Sequence, residues 1–316
     1  MERFLYSSTK PFRVSGLKVD SKHRLQIREY GNPKGIPVIF LHGGPGFPTP
    51  KYTIRFFNKR HFHVIIFDQR GCGSSRPLGE LTANNTQELI HDIEKIRLHC
   101  GLKKVVLVGG SWGATLAFLY MIQYPKNVIS YIVTGFTLLK EALFTSRLRV
   151  QFPQDWEKFM NLGYPQNLKK TIDKYFQKIK EKNTLYIQEW TNLEEKHLTV
   201  EGPVDKLSTG RNRQQVGALI ESYYFKHNFF LPKNYILNHL SSCSQIPGVI
   251  IHGREDVICN PIDSQIIHQK LPRSVLRLIN HSGHSYFEPL ICQALIQEIQ
   301  ELTPSWFDQR KNFYND

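Results

Sequence analysis

Three segments meet in the middle of this chain. Val105-Val106-Leu107-Val108 leads into Gly109-Gly110-Ser111-Trp112-Gly113, and Ala114-Thr115-Leu116-Ala117-Phe118-Leu119-Tyr120 follows. An apolar strand, a sharp turn and an apolar helix in that order constrain the fold more than any other feature. In this context Gly-x-Ser-x-Gly has the form of a nucleophile elbow, a strained turn that lifts a serine hydroxyl clear of a sheet edge. Glycine is expected at 109 and 113 because side chains there would crowd the neighbouring strand and helix. The turn also brings the Trp112 N–H toward the space in front of Ser111, where it can donate to an oxyanion. Alone, the motif equally fits a Gly-Ser turn that merely ends a strand.

The organisation around it decides between the two. Short apolar runs recur at strand spacing over 37–41, 63–67, 105–108, 128–133, 246–251 and 274–279. Their near-continuous apolar character predicts strands buried on both faces. Residues 13–29 alternate weakly about Asp20-Ser21-Lys22 and predict an opening hairpin. A helix is expected over 86–100, with Leu89, Ile93, Ile96 and Cys100 on one face, Asn85 or Thr86 as cap and Gly101 as stop. Strand and helix alternate, which implies a mostly parallel central sheet in an α/β fold. The rhythm breaks after Gly135. Residues 138–234 read as helices rich in Lys, Gln and aromatics, then strands resume and a last helix covers 290–302. The expected organisation is a discontinuous core, 1–137 and 235–316, with an inserted helical cap, 138–234.

Composition narrows the function classes. With 316 residues, 41% hydrophobic and 22% charged, the chain can bury a full α/β core and carry an insertion. Cys72, Cys100, Cys243, Cys259 and Cys292 are scattered without a Cys-x-x-Cys pair, which favours free thiols and a reducing compartment. The N-terminal residues lack an apolar core of signal-peptide length, and no run approaches a membrane span. A cytoplasmic protein without a membrane partner is the expectation. The formal net charge of +14 raises nucleic acid as a partner, but no Lys/Arg run exceeds two and no recognition module is visible, so none is expected. Lys170, Lys174 and Lys178 form the solvated side of an amphipathic helix whose other side carries Leu168, Ile172, Phe176 and Ile179. There is no His-Glu-x-x-His, and His61 and His63 lack a third ligand, so no metal or cofactor is expected.

A serine nucleophile needs a base, and the base needs an orienting acid. Asp256, in His252-Gly253-Arg254-Glu255-Asp256, and His284, in Ser282-Gly283-His284-Ser285, each follow a predicted strand. Open α/β sheets place their sites at such carboxyl ends, and the order Ser, acid, His is that of α/β-hydrolases. Asp256 is favoured over Glu255 and Asp263, and His284 over His281 and His252, the last being a packed strand residue. The second oxyanion donor is expected from His42-Gly43-Gly44-Pro45-Gly46, at the N–H of Gly44, because glycines let the backbone approach a carbonyl closely.

These segments, with Asp68-Gln69-Arg70-Gly71-Cys72-Gly73-Ser74-Ser75-Arg76-Pro77 and Gly253-Arg254-Glu255-Asp256, give the chain a resemblance to the prolyl aminopeptidase (proline iminopeptidase) family from about Arg24 to Leu302. That family has the α/β-hydrolase fold and consists of serine exopeptidases that act on small peptides with a free N-terminus. The resemblance implies Ser111, Asp256 and His284 as the triad and no cofactor. The family reads the free amine with cap carboxylates. Trp190-Thr191-Asn192-Leu193-Glu194 is similar to its Trp-x-x-Trp-Glu segment, and Ala218 to Phe225 to its Glu-containing cap helix. Glu194, Glu221 and Phe225 are thereby implied as substrate-binding residues; on sequence alone either glutamate reads as a solvated helix charge. The chain departs from the family at Leu193, in place of the second Trp, and at Thr134-Gly135-Phe136-Thr137, in place of Arg-Gly-Ile-Phe. An esterase or lactonase with a repurposed cap is the alternative expectation, since fold alone does not choose the substrate.

Overall fold

The computed structural model describes residues 4–139, 146–200 and 210–302. The chain ends, and parts of the expected cap at 140–145 and 201–209, lie outside the described residues. β1 (Arg13–Lys18) and β2 (Arg24–Gly31) form the opening hairpin, with Arg13 opposite Glu29. β3 (Ile36–Leu41), β4 (Phe62–Phe67), α1 (Thr86–His99), β5 (Val105–Gly110), α2 (Trp112–Gln123) and β6 (Val128–Thr134) follow. Next come the helices α3 (Ser146–Gln151), α4 (Pro153–Asn161), α5 (Leu168–Lys180), α6 (Thr184–Glu195), α7 (Arg211–Lys226) and α8 (Tyr235–His239). The chain then returns to the sheet through β7 (Gly248–Gly253), α9 (Pro261–Lys270), β8 (Ser274–Ile279) and α10 (Pro289–Glu301).

All eight strands belong to one sheet in the order β1-β2-β4-β3-β5-β6-β7-β8. β2 is antiparallel to both neighbours, and every pairing from β4 to β8 is parallel. This is the doubly covered architecture expected of the apolar runs. β3, β4, β5 and β6 are buried at every residue. The strand period of two sorts their side chains. Ile39, Leu41, Ile65 and Leu107 pack with Leu89 and Ile93 of α1 and Leu116 of α2. Val38, Phe40, Val64 and Val106 pack on the other face with Ile291, Leu295 and Ile299 of α10. Asn85 caps α1 by accepting from the Glu88 N–H at 3.0 Å.

β8 departs from its sequence reading. It is the sheet edge, and Val275 is 42% exposed. An apolar run does not tell a central strand from an edge, because the difference lies in what covers it. The helices between β6 and β7 have their own apolar cluster, in which Phe159, Tyr175, Ile179, Tyr186, Trp190 and Ala218 meet. Among the described residues no helix is long and apolar enough to cross a membrane. Nor, among them, do three His, Cys, Asp or Glu side chains gather as a metal site.

Candidate active site

Ser111 sits between β5 and α2 with φ 57° and ψ −127°. A non-glycine residue in such a conformation costs about 1–3 kcal/mol and persists only where its surroundings hold it. Here its N–H donates to the Thr134 carbonyl at 2.9 Å, and its carbonyl accepts from Ala114 and Thr115 at 2.9 and 3.2 Å. A Cβ at Gly109 would lie 2.7 Å from the Gly113 carbonyl oxygen, and one at Gly113 would collide with the Leu41 carbonyl. The two glycines therefore let the elbow wedge between its own helix and the end of β3.

Trp112 opens α2, so its N–H is among the donors that a first helical turn leaves without an internal acceptor. The loop after β3 lies alongside, since a Cβ at Gly43 would be 3.2 Å from Ser111 Cβ. Gly44, Ser111 and Trp112 line one cavity of about 350 Å³. Gln69 ties these pieces together. Its side-chain amide donates to the His42 carbonyl at 2.9 Å and accepts from Trp112 Nε1 at 3.0 Å, while its backbone N–H donates to His42 Nε2 at 2.9 Å. Neighbouring Arg70 is buried and forms paired hydrogen bonds to Asp92 at 2.6 and 2.8 Å. Gln69 thus braces the loop after β3 against the start of α2, a role sequence reasoning did not assign.

Asp256 and His284 come together from the loops after β7 and β8. His284 Nδ1 is 2.8 Å from Asp256 Oδ2, and Asp256 Oδ1 accepts from the Ile258 and Cys259 N–H groups at 2.9 and 2.8 Å. The same Oδ2 is 3.0 Å from His252 Nε2, whose Nδ1 lies 2.6 Å from Ser264 Oγ. His252 is therefore packed, as expected, but it also grips the acid. Its four-residue spacing from Asp256 was the available signal. Burial alone would raise the Asp256 carboxyl; the His284 charge and the hydrogen bonds from both imidazoles hold it well below the usual carboxylate range. Burial would lower His284, but the Asp256 charge overrides it and raises the imidazole well above its usual value. The Cys259 thiol lies against the same ring and is pushed up to about 11 by burial, so it is a neutral thiol. His284 Nε2 is buried and has no hydrogen-bond partner among the described residues, so it is not joined to the Ser111 hydroxyl in this state. Such contacts often close only around bound substrate.

Two expectations arise here. His284 must be neutral to accept a proton, so the acid limb of kcat/KM should fall above the ordinary histidine value of 6.5. The groups that influence it are Asp256, Cys259, Glu194 and Glu288; a limb at or below that value would contradict their combined effect. Gly135 has φ 57°, and a Cβ there would lie 3.1 Å from His284 Cε1 and Nδ1. Gly135→Ala should strain the backbone, push the ring by a few tenths of an ångström and lower kcat by up to about 10-fold, less than the roughly 100-fold that a full 1 Å misplacement can cost.

Glu194 on α6 and Glu221 on α7 line the cavity that holds Ser111, together with Trp190, Leu193, Phe225 and Phe229. Glu221 is buried and accepts from Trp190 Nε1 at 2.7 Å. The two carboxyl groups lie close enough for each to affect the other's ionisation. Burial raises both, Glu221 furthest because the Glu194 charge adds to it; nearby His284 partly offsets the effect on Glu194. The Glu194 charge opposes ionisation of Glu221, so the two titrations are linked. Phe225 meets Trp190 edge-on, with ring centroids 5.6 Å apart.

A family model described as the alpha/beta hydrolase fold matches residues 36–289. A proline iminopeptidase of Xylella fastidiosa is 32% identical over 305 residues, 93% of this chain and 97% of its own length. One from Neisseria meningitidis is 32% identical over 314 residues, 95% of this chain and 99% of its own. A crystal structure of a Mycobacterium smegmatis proline iminopeptidase superposes with a TM-score of 0.62 at 17% identity, covering 92% of this chain and all of that one, which supports the fold. With the elbow, the sheet order and these identities together, the chain belongs to the proline iminopeptidase family of α/β-hydrolase-fold proteins.

Proposed function

We propose that the protein is a serine aminopeptidase that releases an N-terminal residue, preferentially proline, from small peptides. The observation that carries this reading is the buried Glu194–Glu221 pair in the same cavity as Ser111. A desolvated carboxyl pair is unfavourable unless a cation completes it, and a substrate ammonium is such a cation. An amine held there sets how many residues separate it from the carbonyl that meets Ser111. Trp190, Phe225 and Phe229 offer apolar walls to a pyrrolidine ring. Segment 138–234 acts as the cap that supplies this pocket.

In the reaction, His284 takes the Ser111 proton as Oγ attacks the carbonyl carbon. The N–H groups of Gly44 and Trp112 donate hydrogen bonds to the developing oxyanion. Asp256 keeps the imidazole in the tautomer with its proton on Nδ1 and stabilises the imidazolium. That imidazolium then protonates the leaving amine. Water, deprotonated by the same base, releases the acyl group as the free amino acid.

The test compares prolyl-, alanyl- and N-acetylprolyl-arylamides. Acetylation removes the positive charge and should lower kcat/KM by at least about 100-fold, the scale of an unpaired buried charge. Equal turnover of the blocked substrate would overturn the role given to Glu194 and Glu221. Alanyl turnover equal to prolyl would remove the proline preference.

A further inference from the structure

The loop that bears His284 is held from the cap side as well as from the core. The peptide leaving α6 lies along it, and the Leu198 carbonyl accepts from the N–H groups of both His284 and Ser285, at 3.0 and 2.8 Å. Glu288 makes a second connection. Its Oε2 accepts from the Gly283 N–H at 2.9 Å, and its Oε1 accepts from the Val200 N–H at 3.1 Å.

Glu288 is the residue that precedes α10, where a side chain is ordinarily used to cap its own helix. It makes no such bond. It is only 5% exposed, and a buried carboxylate costs free energy unless hydrogen bonds compensate it. These two N–H groups belong to other segments, one beside His284 and one just past the helix that carries Trp190 and Glu194. The fit is close: a Cβ at Gly283 would lie 3.0 Å from Glu288 Oε1 and 3.4 Å from the Leu198 carbonyl oxygen.

The structure assigns Glu288 as a positioning residue, whose carboxylate locks the His284 loop to the chain that leaves α6. The assignment rests on the reading of His284 as the base and Glu194 as an amine ligand. Under that reading the amine pocket and the base must keep one relative placement, because the amine fixes where the scissile carbonyl lies. Glu288 touches neither substrate nor Ser111. It acts by spanning the two segments that do the work.

Two variants test this. Glu288→Gln keeps the shape but turns an NH₂ toward one of the two N–H donors, which opens one half of the bridge. Val200→Pro removes the cap-side N–H and leaves the Glu288 side chain intact; Val200 is 49% exposed, so the exchange removes little packing. Steady-state constants are measured per active site, counted with a prolyl phosphonate titrant, alongside the unfolding midpoint. In Glu288→Gln, kcat per titrated site should fall about 10- to 100-fold, with KM moving less than about threefold. Val200→Pro should lower kcat in the same direction, and the double variant should be no worse than Glu288→Gln, since both break one bridge. Unchanged kcat per site in the variants that fold, whatever their midpoints, would reduce Glu288 to a structural role and overturn the assignment; if Glu288→Gln does not fold, Val200→Pro decides. Full turnover in Ser111→Ala would instead strike the proposed function itself.

Discussion

Ser111→Ala lowers kcat/KM for a prolyl arylamide by about 10⁵- to 10⁶-fold, the range found when a serine nucleophile is removed from a complete triad. The loss is this large because the other groups have nothing to act on. His284 has no proton to take, and the oxyanion donors face a carbonyl that is not attacked. His284→Ala should fall to the same floor, and the double variant should be no worse, since both residues serve one step. The fold should be indifferent. Alanine meets the same φ of 57° as serine, and the backbone bonds to Thr134, Ala114 and Thr115 remain. An unchanged unfolding midpoint beside the lost activity separates chemistry from folding.

Glu221→Gln lowers kcat/KM by about 150- to 4,000-fold, in line with about 3–5 kcal/mol for leaving a buried charge without its partner. The amide keeps an acceptor for Trp190 Nε1, so the 2.7 Å contact survives and the loss reports charge. Discrimination between prolyl and N-acetylprolyl substrates should collapse in the same variant. Stability should respond in the opposite sense. The folded Glu221 carboxyl is raised well above 4.5, chiefly by burial. Its stabilising contribution is complete below that value and is lost as pH rises toward the folded one, because the unfolded chain gives up the proton more readily. At alkaline pH the glutamine variant should therefore be as stable as the parent or more so. A pair retained for folding would show the reverse.

The parts of this site legible in the sequence are those whose physics is local. The elbow needs a strand, two glycines and a helix within a few residues. Asp256 and His284 each follow a strand, and strand ends converge in a parallel sheet. What could not be read are contacts between distant segments. Gln69 bridges His42 and Trp112, and Glu288 reaches Val200, through side chains whose partners lie far away in the sequence or beyond a helix end. Val275 reads as core and lies on an edge strand for the same reason. Glu194 and Glu221 stood out only through the family resemblance. Helix periodicity does not reveal that two carboxyls on α6 and α7 turn toward each other.

In the proposed reaction a free amine, held by Glu194 and Glu221, delivers one carbonyl to Ser111. A pyrrolidine aminophosphonate ester tests it directly, with its N-acetyl form as the comparison and peptide mass mapping as the readout. A single adduct on Ser111 is expected, formed at least about 100-fold more slowly by the acetylated reagent. Equal labelling by both reagents, or an adduct on Cys259 or any other side chain while Ser111 stays free, would contradict it.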